Sequence, residues 1–203
     1  MIDLAAVRDT LLAPHCAGCG APGTWFCLVC RDLCEPIVRG RVHAAGTYGG
    51  ALRDAIQRFK YKGEAGLANE LGALVASCLA ADLAQGVALD VIVPAVLHRE
   101  RARERGYDQA TLLAEVVAGS VALPLRRPMR RVRRARPQVE LDRAARAENV
   151  RGAFISVAGS LRGARVALID DVVTTGATIA AATGALRAAG ARDVRAYVVA
   201  FDE

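Results

Sequence analysis

The chain has 203 residues, enough for one good hydrophobic core and a small appendage, and its 53% apolar content excludes intrinsic disorder. Aromatics make up only 4%, so the apolar content is largely alanine and suits Ala-rich helices packed on a sheet. The net charge of +6 is an arginine excess concentrated in "HRERARERG" (98–106) and "RRPMRRVRRAR" (126–136). Such density suits a polyanion, either nucleic acid or a polyphosphate ligand; a solvated Arg-rich surface is the alternative. No apolar stretch reaches the roughly eighteen uncharged residues of a membrane span. The start, "MIDLAAVRDTLLAP", has neither a basic flank nor a signal-type apolar block, so a cytoplasmic location is expected.

In chain order, the first feature is a cysteine-rich head, "CAGCGAPGTWFCLVC". Cys16, Cys19, Cys27 and Cys30 form two C-x-x-C pairs, and two pairs complete a tetrahedral four-thiolate Zn2+ site. Gly18 and Gly20 suit a tight knuckle, where turns often need positive φ. A segment of this size has too little core to fold alone, so metal binding supplies the missing free energy. The expected metal module spans residues 1–40. A disulfide framework is the alternative, and it needs an oxidising compartment. Cys34 is either a spare thiol or a replacement for Cys30, and Cys78 reads as a small core residue. A closed four-thiolate site leaves no position for substrate, so this zinc is structural.

From about residue 41 to 203 helix–strand alternation predicts an α/β domain with a mainly parallel sheet. Leu52, Ile56 and Phe59 recur at helical spacing, as do Leu67, Leu71, Leu74, Cys78 and Leu79. "DVIVP" (90–94) reads as a buried strand halted by Pro94, taken as the domain's first. A helix is predicted over 108–119, capped by Asp108, with Leu112, Leu113, Val116 and Val117 facing the core. An irregular segment, 133–149, follows and is functional or mobile. "GAFISV" and "RVALID" read as strands, the second apolar on both faces. "GATIAAATGALRAAGA" is an Ala-rich helix stopped by Gly190, and "DVRAYVVAF" is the closing strand.

The stretch "RVALIDDVVTTGAT" (165–178) concentrates the chemistry. Two adjacent carboxylates repel each other and resist desolvation, so Asp170 and Asp171 at a strand's carboxyl end call for a compensating function. Ligands bind at such strand ends in α/β folds. Thr174, Thr175, Gly176, Ala177 and Thr178 then turn into a helix whose free N–H groups and dipole make an anion site. Ionised carboxylates only accept hydrogen bonds, which suits sugar hydroxyls or hydrated Mg2+. Phosphate on one side and hydroxyls on the other describe a ribose 5-phosphate. The stretch has two rival readings: a purely structural strand–turn–helix, and the metal-binding strand of a P-loop NTPase. The latter needs G-x-x-x-x-G-K-[ST], and the chain has no Gly-Lys pair.

The motif resembles the phosphoribosyl-pyrophosphate signature of type I phosphoribosyltransferases. Together with the cysteine head, "KYKG" (60–63), "VIVPAVLHRERARERGYDQA" (91–110) and "PQVELDRAARAENVRGAF" (137–154), the chain resembles the ComF (competence protein) family. That resemblance implies a type I phosphoribosyltransferase fold with a small zinc-ribbon-like module. It implies Asp170 and Asp171 as the catalytic residues that hold the ribose hydroxyls, and 174–178 around the 5-phosphate. The loop 95–99, with Ala95, His98 and Arg99, would meet the pyrophosphate with Mg2+. The segment 133–149 would close over the site, with Gln138, Arg146 and Asn149 at family positions. Departures from the family are "VPAVLH" with one proline fewer, "GYDQ" for G-Y-N-Q and "ARPQ" for T-P-P-Q; they bear on loop geometry and turnover.

Three functions follow as alternatives. The first is a phosphoribosyltransferase-type protein that binds phosphoribosyl pyrophosphate and Mg2+ and transfers ribosyl phosphate, linked to natural competence. The second is a zinc-dependent single-stranded-DNA factor with a helicase-type DNA-uptake partner and a non-catalytic nucleotide-sugar pocket. The third is a zinc-stabilised interaction protein. Neither the acceptor nor the oligomeric state, homo-oligomer included, is legible.

Overall fold

The computed structural model describes residues 14–97, 99–132 and 153–202. His98, Gln138, Arg146 and Asn149 lie outside them, as does the 133–149 segment. In chain order the elements are α1 (Leu28–Asp32), β1 (Ile37–Arg39), β2 (Val42–Thr47), α2 (Gly50–Tyr61), α3 (Leu67–Ala84) and β3 (Val91–Pro94). They continue as α4 (Arg99–Arg105), α5 (Gln109–Val121), β4 (Met129–Arg131), β5 (Phe154–Ser156), β6 (Arg165–Val173), α6 (Ala177–Ala188) and β7 (Asp193–Phe201).

A five-stranded sheet runs in the order β1-β2-β7-β6-β3. β2, β7, β6 and β3 are parallel, and β1 adds an antiparallel edge to β2. The fold is therefore α/β with a mostly parallel sheet, as expected. Successive side chains of a strand point to opposite faces, and β6 shows it. Ala167 and Ile169 pack with α3 and α5, whereas Val166 and Leu168 pack with α6 and the β4–β5 ribbon.

Several sequence expectations are corrected. The 90–94 strand is not the first of the domain, because β2 precedes it, with its branched residues, Val42 and Thr47, only at the ends of an Ala/Gly-rich centre. "DVRAYVVAF" closes the chain but sits at the sheet's centre, buried by neighbours on both sides. "GAFISV" does not join the main sheet; β5 pairs antiparallel with β4 in a separate ribbon. β6 continues past "RVALID" to Val173, so Asp171 lies within the strand as Asp170 does, with Asp170 opposite Val198. On α5, Leu113 and Val117 are buried, while Leu112 and Val116 are half-buried. Cys78 is likewise half-buried.

α3 has the length and mean hydropathy, 1.4, of a membrane span. It carries Glu70 and Asp82, and Leu67, Leu71, Val75 and Leu79 are buried against the sheet and α5. It is the core helix of the α/β layer.

Candidate functional site

β6 delivers Asp170 and Asp171 to the floor of a cavity of about 220 Å3 at the carboxyl end of the parallel sheet. The 174–178 turn forms its wall, and Ala95 lines it from the end of β3. Thr174 is exposed; Thr175, Gly176, Ala177 and Thr178 are half-buried. Gly176 is the N-cap of α6 at φ 75°, a left-handed conformation that a side chain would strain. It offers no side-chain cap; the Ala177 N–H reaches Thr175 Oγ1 at 3.5 Å, and the Thr178 and Ile179 N–H groups of the first turn of α6 face an anion site. Arg99 is the first residue of α4.

Asp170 is 8% exposed. Burial, and then the neighbouring Asp171 charge, push its carboxyl up to about 8, while the Asp171 N–H and Lys60 oppose that rise. Its Oδ1 accepts from the Asp171 N–H at 2.9 Å. Asp171 Oδ2 lies 3.0 Å from Lys60 Nζ, both side chains mostly buried. At neutral pH the Asp170 carboxyl thus favours its protonated form, beside the Lys60–Asp171 ion pair.

Lys60 stands in the sequence as part of "KYKG", a motif that carries no role for it. Tyr48, Arg101, Arg105, Arg131 and Asp202, none given a role by the sequence, line the same cavity. The arginine clusters signalled the three arginines; nothing local marks Tyr48 or Asp202, which follow β2 and β7. Arg131 lies at the ribbon's end with its ring partner Phe154 5.2 Å away. Burial, helped by nearby Arg101, lowers its guanidinium pKa, while Asp170 opposes the shift. Its Nε is buried without a hydrogen-bond partner among the described residues. Asp108 does more than cap α5. One oxygen accepts from Thr111 N–H at 2.8 Å and the other from Leu97 N–H at 2.5 Å, tying the loop after β3 to α5.

The four head cysteines form a second cluster. All four Sγ atoms lie within 4.8 Å of one another, and Cys19 and Cys27 are 3.6 Å apart. Zn–S bonds of about 2.3 Å give tetrahedral S···S edges of about 3.8 Å, so the set fits Zn2+. Burial would raise the Cys16 thiol, but N–H groups of Cys19, Cys27 and Gly18 outweigh it and bring it to about 6. Burial and the other three cysteines push Cys30 far up. Four thiolates so close need a cation between them. Cys34 stands outside the cluster, its thiol 3.6 Å from the Cys30 carbonyl. Gly20 has the expected positive φ, 78°. Gly18 does not. It is there for space, since a Cβ would lie 2.5 Å from Ala51 Cβ and 2.8 Å from Cys30 Sγ.

The family model of the phosphoribosyl transferase domain matches residues 76–203, more than half of the chain. The chain belongs to the phosphoribosyl transferase domain family. Among solved structures it is similar to an allosteric regulatory enzyme of purine biosynthesis, at 20% identity over 70% of this chain and 29% of that one, with a TM-score of 0.47. A second is glutamine phosphoribosylpyrophosphate amidotransferase from B. subtilis complexed with ADP and GMP, at 21% identity over 70% and 30%, TM-score 0.46. A third is UMP synthase from Leishmania donovani, at 20% identity over 70% and 22%, TM-score 0.37. The chain spans less than a third of the length of each. Among curated proteins, none matches the chain.

Proposed function

We propose that this phosphoribosyltransferase-domain protein is a ComF-like member that binds phosphoribosyl pyrophosphate with Mg2+ and transfers its ribosyl phosphate to an acceptor. The observation that carries this is one cavity lined by both Asp170–Asp171 and the 174–178 turn at the uncapped N-terminus of α6. The threonine hydroxyls and first-turn N–H groups bind the 5-phosphate, and the aspartates accept from the ribose hydroxyls. In transfer, the acceptor bonds to C1′ as the C1′–O bond to diphosphate breaks, and that electron pair leaves with the diphosphate. Arg101 and Arg131, with the loop containing Ala95, His98 and Arg99, stabilise the growing charge. Mg2+ supplies further charge neutralisation when bound. Gln138, Arg146 and Asn149 complete the closed site in this proposal.

Asp170→Asn with Asp171→Asn abolishes Mg2+-dependent phosphoribosyl pyrophosphate binding in titration calorimetry while circular dichroism stays native. Wild-type affinity in that double variant sinks the assignment. The four-cysteine head and the ordered landmarks support the ComF likeness and, through it, a cytoplasmic role in natural competence. Single-stranded-DNA binding is the second reading. Arg103, Arg127, Arg130 and Arg131, gathered around one recess between α4 and β4, favour it. Such binding weakens steeply with salt, because arginine–phosphate contacts release counterions; a flat salt response overturns it.

A further inference from the structure

Between α3 and the β1–β2 edge of the sheet lies a second cavity, of about 490 Å3, which shares no lining residue with the aspartate cavity. Its lining is graded along its length. One end is apolar, with Leu74 and Cys78 from the middle of α3 beside Pro36, Ile37 and Ala45. The other end is polar. Asp82 lies in the last turn of α3 and Gln85 caps that helix, while His43 is the second residue of β2 and Arg195 the third of β7. Val38, Ser77, Ala81 and Gln85 are exposed, so the cavity opens to solvent.

The polar end is incompletely satisfied. His43 is only 6% exposed, and its Nε2 is buried without a hydrogen-bond partner among the described residues. Asp82 Oδ2 is 3.4 Å from that nitrogen, without the alignment of a hydrogen bond. The same oxygen already accepts from the Tyr197 hydroxyl at 2.6 Å and from Arg195 Nη1 at 3.5 Å. Burial pushes the His43 pKa down, Asp82 opposes it and Arg195 adds to it, so the ring is neutral at neutral pH. Tyr197 stacks on the ring at 5.0 Å and fixes its plane. Either tautomer leaves Nε2 unmatched: as an acceptor it faces a carboxylate oxygen, and as a donor its N–H misses that oxygen.

We propose that this cavity binds a neutral hydroxyl compound with an apolar body, of the alkylphenol type, whose hydroxyl meets His43 Nε2. A hydroxyl both donates and accepts, so it serves either tautomer of the ring. Tyr197 displays the same chemistry within the fold, its phenol hydroxyl donating to Asp82. A charged head would bring an uncompensated charge to an end where Asp82 and Arg195 already offset each other. Water satisfies the polar end alone; the apolar walls gain only from an apolar body, and the cavity has the size of a small-molecule site. The proposal goes beyond the ribosyl-transfer reading and does not depend on it.

The test is titration calorimetry of the full chain with 4-propylphenol, its methyl ether and propylbenzene. Alkylation of Cys78 by iodoacetamide, read peptide by peptide in mass spectrometry, locates the compound. The phenol is expected to bind at least about tenfold tighter than either analogue, the effect of one lost hydrogen bond, and to slow Cys78 alkylation at saturation. Ala81 is exposed at the cavity mouth, so Ala81→Phe folds, and the larger side chain is expected to weaken the phenol by a similar factor. His43→Leu erases the advantage of the phenol over the ether; the three compounds on the unaltered chain decide the matter should that variant not fold. Equal binding of phenol and propylbenzene overturns the proposal, as does the absence of saturable binding. Phenol binding that Ala81→Phe leaves unchanged, or that leaves Cys78 alkylation unslowed, puts the compound elsewhere and overturns it too.

Discussion

At the scale of single residues, Asp170 carries a cost that the ligand-free protein bears. Its carboxyl rises from an ordinary 3.8 to about 8, with burial the main cause and Asp171 the second. Between those two values the folded chain holds a proton that the unfolded chain has lost. Stability therefore falls as pH rises through that window, by at most about tenfold in the folding constant per pH unit. Asp170→Asn removes the ionising group and keeps its shape. Denaturant unfolding without Mg2+ or ligand is expected to show little difference from wild type at pH 4. The variant then gains a growing advantage up to pH 8. A gap that stays constant over that range contradicts the assignment of burial and Asp171 as its source. The same position that stabilises the empty protein as asparagine is expected to lose ligand, a trade typical of built sites.

At the scale of elements, Asp108 ties α5 to the loop after β3. Its two oxygens hold the Thr111 N–H of α5 and the Leu97 N–H of the loop after β3. Asp108→Ala is expected to cost about 1–2 kcal/mol of stability, because it deletes a helix cap. Hydrogen exchange at Leu97 and Thr111 accelerates together; acceleration at Thr111 alone would show that the loop holds itself. The cap was legible from the position of Asp108 before a helical apolar pattern. The loop tie was not, because nothing local says which backbone group a second carboxylate oxygen will meet. The same division runs through the fold. β6 and α6 were legible from an apolar run followed by an Ala-rich periodic segment. β2 was not, because "VHAAGT" has small side chains and owes its strand to pairing with β7. Lys60 was visible only as a residue of a motif; its partnership with Asp171 depends on α2 ending over β6. The close approach of α3 and α5 is another tertiary fact, since a Cβ on Gly72 would lie 2.7 Å from Val116 Cβ.

At the scale of the whole molecule, the cysteine head and the larger domain share one core. Cys16, Ala17, Phe26 and Cys30 belong to the same buried cluster as Leu52, Ile56, Phe59 and Leu67. Trp25 packs over Gly66, leaving no room for a Cβ there, and Gly18 lies against Ala51 of α2. α2 in turn ends at Lys60 and Tyr61, which reach the cavity. A metal held between the four cysteines would therefore brace the helix that carries part of the site. Chelating the metal, or replacing Cys16 with Ser, is expected to lower one common thermal transition by at least about 5 °C, since a 1 kcal/mol loss shifts a domain of this size by about 2–4 °C. Mg2+–phosphoribosyl pyrophosphate affinity should fall with it, below the melting range, as α2 loosens and Lys60 leaves Asp171. Scanning calorimetry with and without chelator, followed by titration, checks both. Two separate transitions, with the second unmoved and affinity intact, would show the head to be an independent appendage. A joint fall makes it a structural support of the ribose-phosphate site.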